Sequence, residues 1–164
     1  MSISDIGMAI EATRVNRLKM KDLRFFVHES NCIEGIINDR EDESALIRLQ
    51  RLLKHPDLAI SIISKYNNAG FLRNKPGMDV YVGKYTPPQG GFSMTAALRE
   101  VLDRANEGYH PYKVHQLFES LHPYMDGNGR TGRAIWLWQM VRQKGYNLDL
   151  GFLHAYYYQS LSVK

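Results

Sequence analysis

Leu121-His122-Pro123-Tyr124-Met125-Asp126-Gly127-Asn128-Gly129-Arg130-Thr131-Gly132-Arg133 decides how the rest of the chain is read. A histidine, a carboxylate, a Gly-Asn-Gly turn and two arginines stand close together, with amphipathic segments on either side. Gly127 and Gly129 let backbone approach a ligand and take up positive φ. A helix starting near Asn128 would point its first N–H groups back into the turn, and such an end binds anions, phosphate in particular. Arg130 and Arg133, three apart, would share a helix face just beyond that site, with guanidinium forks that suit phosphate oxygens. Asp126 is placed to hold a hard cation such as Mg2+, which also binds substrate phosphates. His122 suits general-base work near neutral pH. Taken singly, each residue fits a plain turn, an ion pair or a structural histidine. Seven such positions matching together by chance is expected on the order of once in 10^9 start sites. The stretch reads as a nucleotide-phosphate site with a base beside it.

The same residues closely resemble the Fic family signature, His-x-Phe-x-Asp/Glu-Gly-Asn-Gly-Arg-x-x-Arg, with Tyr124 in the phenylalanine slot. A tyrosine there needs a partner for its hydroxyl. The resemblance implies an all-α fold with a short β-hairpin flap and transfer of AMP from ATP to a Ser, Thr or Tyr hydroxyl of a target protein, possibly the chain itself. It implies His122 as the base, Asp126 as the Mg2+ ligand, and Gly127, Asn128 and Gly129 as the phosphate cradle. Arg130 would contact the triphosphate and Arg133 would grip the γ-phosphate. A relative that phosphorylates its target carries lysine where Gly129 stands, so Gly129 favours AMP transfer.

Ser30-Asn31-Cys32-Ile33-Glu34-Gly35 resembles the inhibitory motif of that family, Ser/Thr-x-x-x-Glu-Gly/Asn. By resemblance, Glu34 would pair with Arg133 and block the γ-phosphate position, since one guanidinium fork cannot grip a carboxylate and a phosphate at once. Ser30, Glu34 and Gly35 would then form an inhibitory helix over about residues 21–35. Val80-Tyr81-Val82, Gly83 and Lys84-Tyr85-Thr86 read as a hairpin. The resemblance makes it the flap, at about residues 78–86, that docks the target by strand addition.

Outside these motifs the chain reads as helices. Ile3–Arg17 and Lys21–Gly35 carry apolar residues at helical spacing, with Leu23, Phe26 and Ile33 on one side and Ser30 and Glu34 on another. Asn38 and Asp39 are capping residues for a run with Ala45, Leu46, Leu49, Leu52 and Leu53. Pro56 is expected to open a helix ending near Asn68-Ala69-Gly70. Thr95–Asn106 follows, and then a helix from Pro111 through Leu121 into His122. The segment Ile135–Val141 is apolar almost all round, as in a helix buried at a domain centre. Gly145 is expected to end it, and Leu148–Leu161, with Tyr156-Tyr157-Tyr158 as packing residues, to form the last helix. His110 and His115 match no metal-protease spacing and read as structural. Cys32 reads as a small packing residue rather than a reactive thiol.

At 164 residues with 44% hydrophobic content, the chain fits one domain, residues 1–164, with a real core. No apolar run reaches the length of a membrane span, and the N-terminus lacks a signal-peptide pattern. The single cysteine suits a cytoplasmic setting. A formal charge of +4 without a dense Lys/Arg block gives no nucleic-acid face. The oligomeric state is open, a homo-oligomer included. Also open are AMP removal by a water that Glu34 positions, transfer from UTP or GTP, and a nucleotide-binding or partner-binding module without turnover.

Overall fold

The computed structural model describes residues 19–143, in which six α-helices form. They are α1 (Met20–Ile33), α2 (Asp39–Leu53), α3 (Ile60–Tyr66), α4 (Phe92–Asn106), α5 (Pro111–Leu121) and α6 (Asn128–Arg142). The helices expected at Ile3–Arg17 and Leu148–Leu161, the stop at Gly145 and the Tyr156-Tyr157-Tyr158 run lie outside the described residues. The all-α expectation holds: among the described residues, extended pairing is confined to two isolated bridges, Leu72 with Tyr124 and Val82 with Tyr85. The chain divides into two compact units, one ending at Pro56 and resuming at Met140, the other running Asp57–Gln139.

In the first unit, α1 packs on α2. Leu23, Phe26, Val27, Ser30 and Asn31 form the buried stripe of α1. Ser30 thus joins the apolar face, whereas Glu34 is exposed. The two therefore do not share the separate face expected of them. Residues 23, 26, 27, 30 and 31 follow the 3.6-residue repeat, and Glu34 falls past the last turn. That turn closes with two bonds, Gly35 N–H to Cys32 O at 2.9 Å and Ile36 N–H to Asn31 O at 3.0 Å. This is the Schellman pattern, with Gly35 at φ +73°. Asn38 caps α2, its side chain accepting from Arg40 N–H at 2.9 Å and Glu41 N–H at 3.2 Å. Arg142 donates to the Leu53 and His55 carbonyls at 2.8 and 2.6 Å, where α2 has run out of internal partners.

In the second unit, α4 packs on α5 and α3 on α4. Ile63, Leu98, Val114 and Phe118 are fully buried, each contributing roughly 1.5–3 kcal/mol relative to exposure. α3 starts at Ile60 rather than Pro56. The Asn106 amide pairs with both the N–H and the carbonyl of Leu58, at 2.7 and 2.9 Å, so this segment's polar groups are satisfied without a helix. α3 also ends early, at Tyr66. The Asn67 side chain accepts from Ala69 N–H at 2.9 Å and Gly70 N–H at 3.1 Å, a local turn that competes with the helix. α4 begins three residues before the expected Thr95, whose N–H and hydroxyl both donate to Gly91 O. Ala134, Ile135 and Leu137 of α6 are fully buried, as an all-round apolar helix requires.

Candidate active site

His122 caps the end of α5 and takes up φ 49° and ψ 60°. Among the described residues it is the only non-glycine with positive φ. A left-handed residue with a Cβ costs about 1–2 kcal/mol, so something must hold it there. Its N–H donates to Phe118 O at 3.0 Å, ending the helix, and its carbonyl accepts from Arg73 Nε at 2.7 Å.

Arg73 is the residue that sequence reading missed. Its side chain is fully buried. Besides His122 O, its Nη2 reaches Leu121 O at 2.9 Å and its Nη1 reaches Met78 O at 3.1 Å and Pro88 O at 2.8 Å. One rigid fork therefore ties the end of α5 to both sides of the hairpin. Burial lowers its pKa from the usual arginine value, opposed by the charge of Asp79. The only sequence signal is its setting, an arginine directly after Phe71-Leu72, and that resembles any solvated loop cation.

The residues around Arg73 form a ledge for the signature loop. Arg73 N–H donates to Pro123 O at 2.9 Å, and Met125 N–H donates to Phe71 O at 2.9 Å. The Asn67 amide donates to Asp126 O at 2.9 Å. Tyr124, buried beside Leu72, places its hydroxyl 2.6 Å from Ser64 Oγ. The partner required by the Phe-to-Tyr departure is thus Ser64, and burial pushes the phenol's pKa up to about 12. Asn67 and Ser64 carry no sequence signature of their own.

Gly127 takes φ +77° and leads directly into α6, which starts at Asn128 as expected. Gly129 lies inside the helix and does not take positive φ, because the turn is already completed at Gly127. The Asn128 side chain bonds within the loop. Its Oδ1 accepts from Tyr124 N–H at 2.8 Å and its Nδ2 donates to Tyr124 O at 2.8 Å. The amide closes the loop on itself, and α6 opens with the backbone N–H groups of Asn128, Gly129 and Arg130. These have no partner inside the helix, whereas Thr131 N–H already reaches Gly127 O at 3.1 Å. Asp126 is exposed, with Oδ1 accepting from Gly127 N–H at 2.7 Å. Arg130 is partly exposed near the helix start and Arg133 is buried one turn on.

Gly132 explains how α6 comes so close to α5. A Cβ there would lie 2.3 Å from Glu119 Oε1, 3.0 Å from Phe118 Cδ1 and 3.2 Å from His115 Cε1. His115 is structural as expected: it is buried, backbone-bonded to Gly132, and desolvation lowers its pKa to about 4. Gly132→Ala should destabilise the protein by about 1–3 kcal/mol through overpacking, read as a lower urea midpoint at unchanged m-value.

The flap reduces to one bridge. Val82 and Tyr85 exchange two backbone hydrogen bonds of 2.9 Å around Gly83-Lys84, and the Tyr85 hydroxyl donates to Ser120 O at 2.7 Å. The hairpin is therefore shorter than the expected strand pair. Two prolines after Thr86 and the carbonyls committed to Arg73 leave no backbone to extend it. Tyr81 is 78% exposed and Val82 40%. Ser30, Glu34 and Gly35 lie in the first unit, at the end of α1.

The Fic/DOC family model matches residues 42–140 of the chain. The chain belongs to the Fic/DOC family. Members of this family generally transfer nucleotide monophosphates to proteins, and the matched span runs from within α2 to within α6 and includes the whole signature loop. No helix among the described residues is long and apolar enough to cross a membrane.

Proposed function

We propose that this Fic/DOC protein transfers AMP from ATP to a hydroxyl side chain of a target protein, and that Glu34 restrains it. What carries the reading is the junction of α5 and α6. A histidine held in the left-handed region stands six residues from a helix start whose free N–H groups and two arginines suit polyphosphate. Transfer at phosphorus is governed by positioning and charge neutralisation, and this junction supplies both.

In this reading the N–H groups at the start of α6 and Arg130 hold the α- and β-phosphates, and Arg133 receives the γ-phosphate. His122 takes the proton from the target hydroxyl as its oxygen attacks the α-phosphorus. The bond from that phosphorus to the bridging oxygen breaks, and pyrophosphate leaves. Asp126 would hold Mg2+, which supplies charge neutralisation on the phosphates. One exposed carboxylate fits such an ion, because Mg2+ completes its shell with substrate oxygens and water. With both backbone groups of Val82 bonded to Tyr85, the exposed Tyr81 beside it is where the target segment would find backbone groups to pair with.

The restraint rests on the Ser30-x-x-x-Glu34-Gly35 pattern and on the competition of carboxylate and phosphate for Arg133. Removing one charge-assisted contact of about 1.5–3 kcal/mol should raise transfer about 10–100-fold. The measurement is transfer from ATP labelled separately on the α- and γ-phosphates, in the wild type and in Glu34→Gly, with a cell lysate as target source. Label from the α-position only, stronger in the variant, is the expected result. Label from the γ-position only would make the protein a kinase. Release of AMP from an already labelled target, abolished in Glu34→Gly, would point to AMP removal instead.

A further inference from the structure

Cys32 does not sit in the core as a small packing residue. It is partly exposed, and its Sγ lies 3.5 Å from His28 Nε2, one helical turn earlier. The other ring nitrogen, His28 Nδ1, stands 2.8 Å from Asp42 Oδ2 on α2. Asp42 is itself fixed, its second oxygen accepting from Asn31 Nδ2 at 2.7 Å. In the neutral ring with Nδ1–H donating to the carboxylate, Nε2 faces the thiol with its lone pair. Nucleophile, base and orienting carboxylate thus form a relay across α1 and α2, far in sequence from the His122 loop. Beside the relay lies a cavity of about 380 Å³, lined by Arg24, His28, Asp39, Asp42, Glu43 and Leu46. Its walls carry three carboxylates, with Arg24 already paired to Glu43, and so suit the ammonium groups of a small disulfide.

We propose that Cys32 is a nucleophilic thiol that undergoes exchange with low-molecular-weight disulfides, with His28 as its base and Asp42 as the orienting group. His28 Nε2 takes the thiol proton, and Cys32 sulfur attacks one sulfur of the disulfide. A new S–S bond forms as the old one breaks, and the departing thiolate takes the proton back from His28. The products are one mixed disulfide and one free thiol, so no further oxidant is needed. Hydrogen bonding to Asp42 raises the His28 pKa from its ordinary value, in keeping with a base that can carry that proton. The proposal is independent of nucleotide transfer.

Cys32 is the only cysteine, so every adduct reports on it. The test is the rate of mixed-disulfide formation with glutathione disulfide at pH 7, followed by mass spectrometry on the full chain, and alkylation by iodoacetamide in parallel. Folded wild type is expected to react at least about tenfold faster than the same chain unfolded in urea. His28→Gln and Asp42→Asn are expected to fall toward the unfolded rate. A merely structural role predicts the opposite sign, because loosening α1 from α2 would expose the partly covered thiol and speed its reaction. The proposal is overturned if folded wild type reacts no faster than the unfolded chain, or if His28→Gln reacts as fast as wild type.

Discussion

His122→Asn should lower AMP transfer by about 10²–10⁴-fold, the usual contribution of a positioned general base, while leaving the protein folded. Asparagine is the informative substitution. His122 occupies φ 49°, ψ 60°, and asparagine tolerates that region better than alanine, so loss of the imidazole is separated from loss of the turn. The substitution keeps the backbone carbonyl that accepts from Arg73 and leaves the N–H groups at the start of α6 untouched. ATP binding, measured by titration calorimetry, should therefore stay near wild type while transfer collapses. That split is the signature of a group acting in the transition state rather than in ground-state binding. If the variant transfers AMP at more than about a tenth of the wild-type rate, His122 is not the base and the proton must leave by another route.

The parts of this site legible in the sequence are those whose chemistry is local. Gly127, Asn128 and the helix behind them follow from turn and capping rules acting over a few residues, and α6 begins where those rules put it. The Asn38 cap and the Gly35 stop are legible for the same reason. What escapes is whatever depends on a partner far along the chain. Asn106 bonds both backbone groups of Leu58 from 48 positions away, and so shortens a helix expected to open at Pro56. That the Asn128 amide closes on Tyr124 is likewise set by the fold of the loop and not by spacing. Cys32 has the sequence surroundings of a packing residue, and only the fold sets it against His28 and Asp42. Periodicity records which face is buried; it does not record which polar group on another segment completes a residue's hydrogen bonds.

Arg73 is the extreme case of that rule, and its replacement should have the largest effect on stability. In Arg73→Met the apolar stem is roughly kept, but the carbonyls of Leu121, His122, Met78 and Pro88 lose their donor together. A buried polar group left unsatisfied costs about 1–3 kcal/mol. Even with partial hydration, a loss of about 3–5 kcal/mol is expected, a large share of the roughly 5–15 kcal/mol that holds a domain together. Arg73→Lys should rescue little of it, because an ammonium with three donors at a single point cannot span carbonyls that a planar fork reaches from several nitrogens. The urea midpoint checks both variants. The damage should also be directional: all four carbonyls lie at the His122 end of α5 or on either side of the hairpin, so transfer should fall in Arg73→Lys even under conditions where circular dichroism shows it folded. A midpoint within about 1 kcal/mol of wild type for Arg73→Met would mean that water replaces the guanidinium without cost. His122 would then owe its left-handed geometry to the turn at Gly127 and the amide of Asn128 alone.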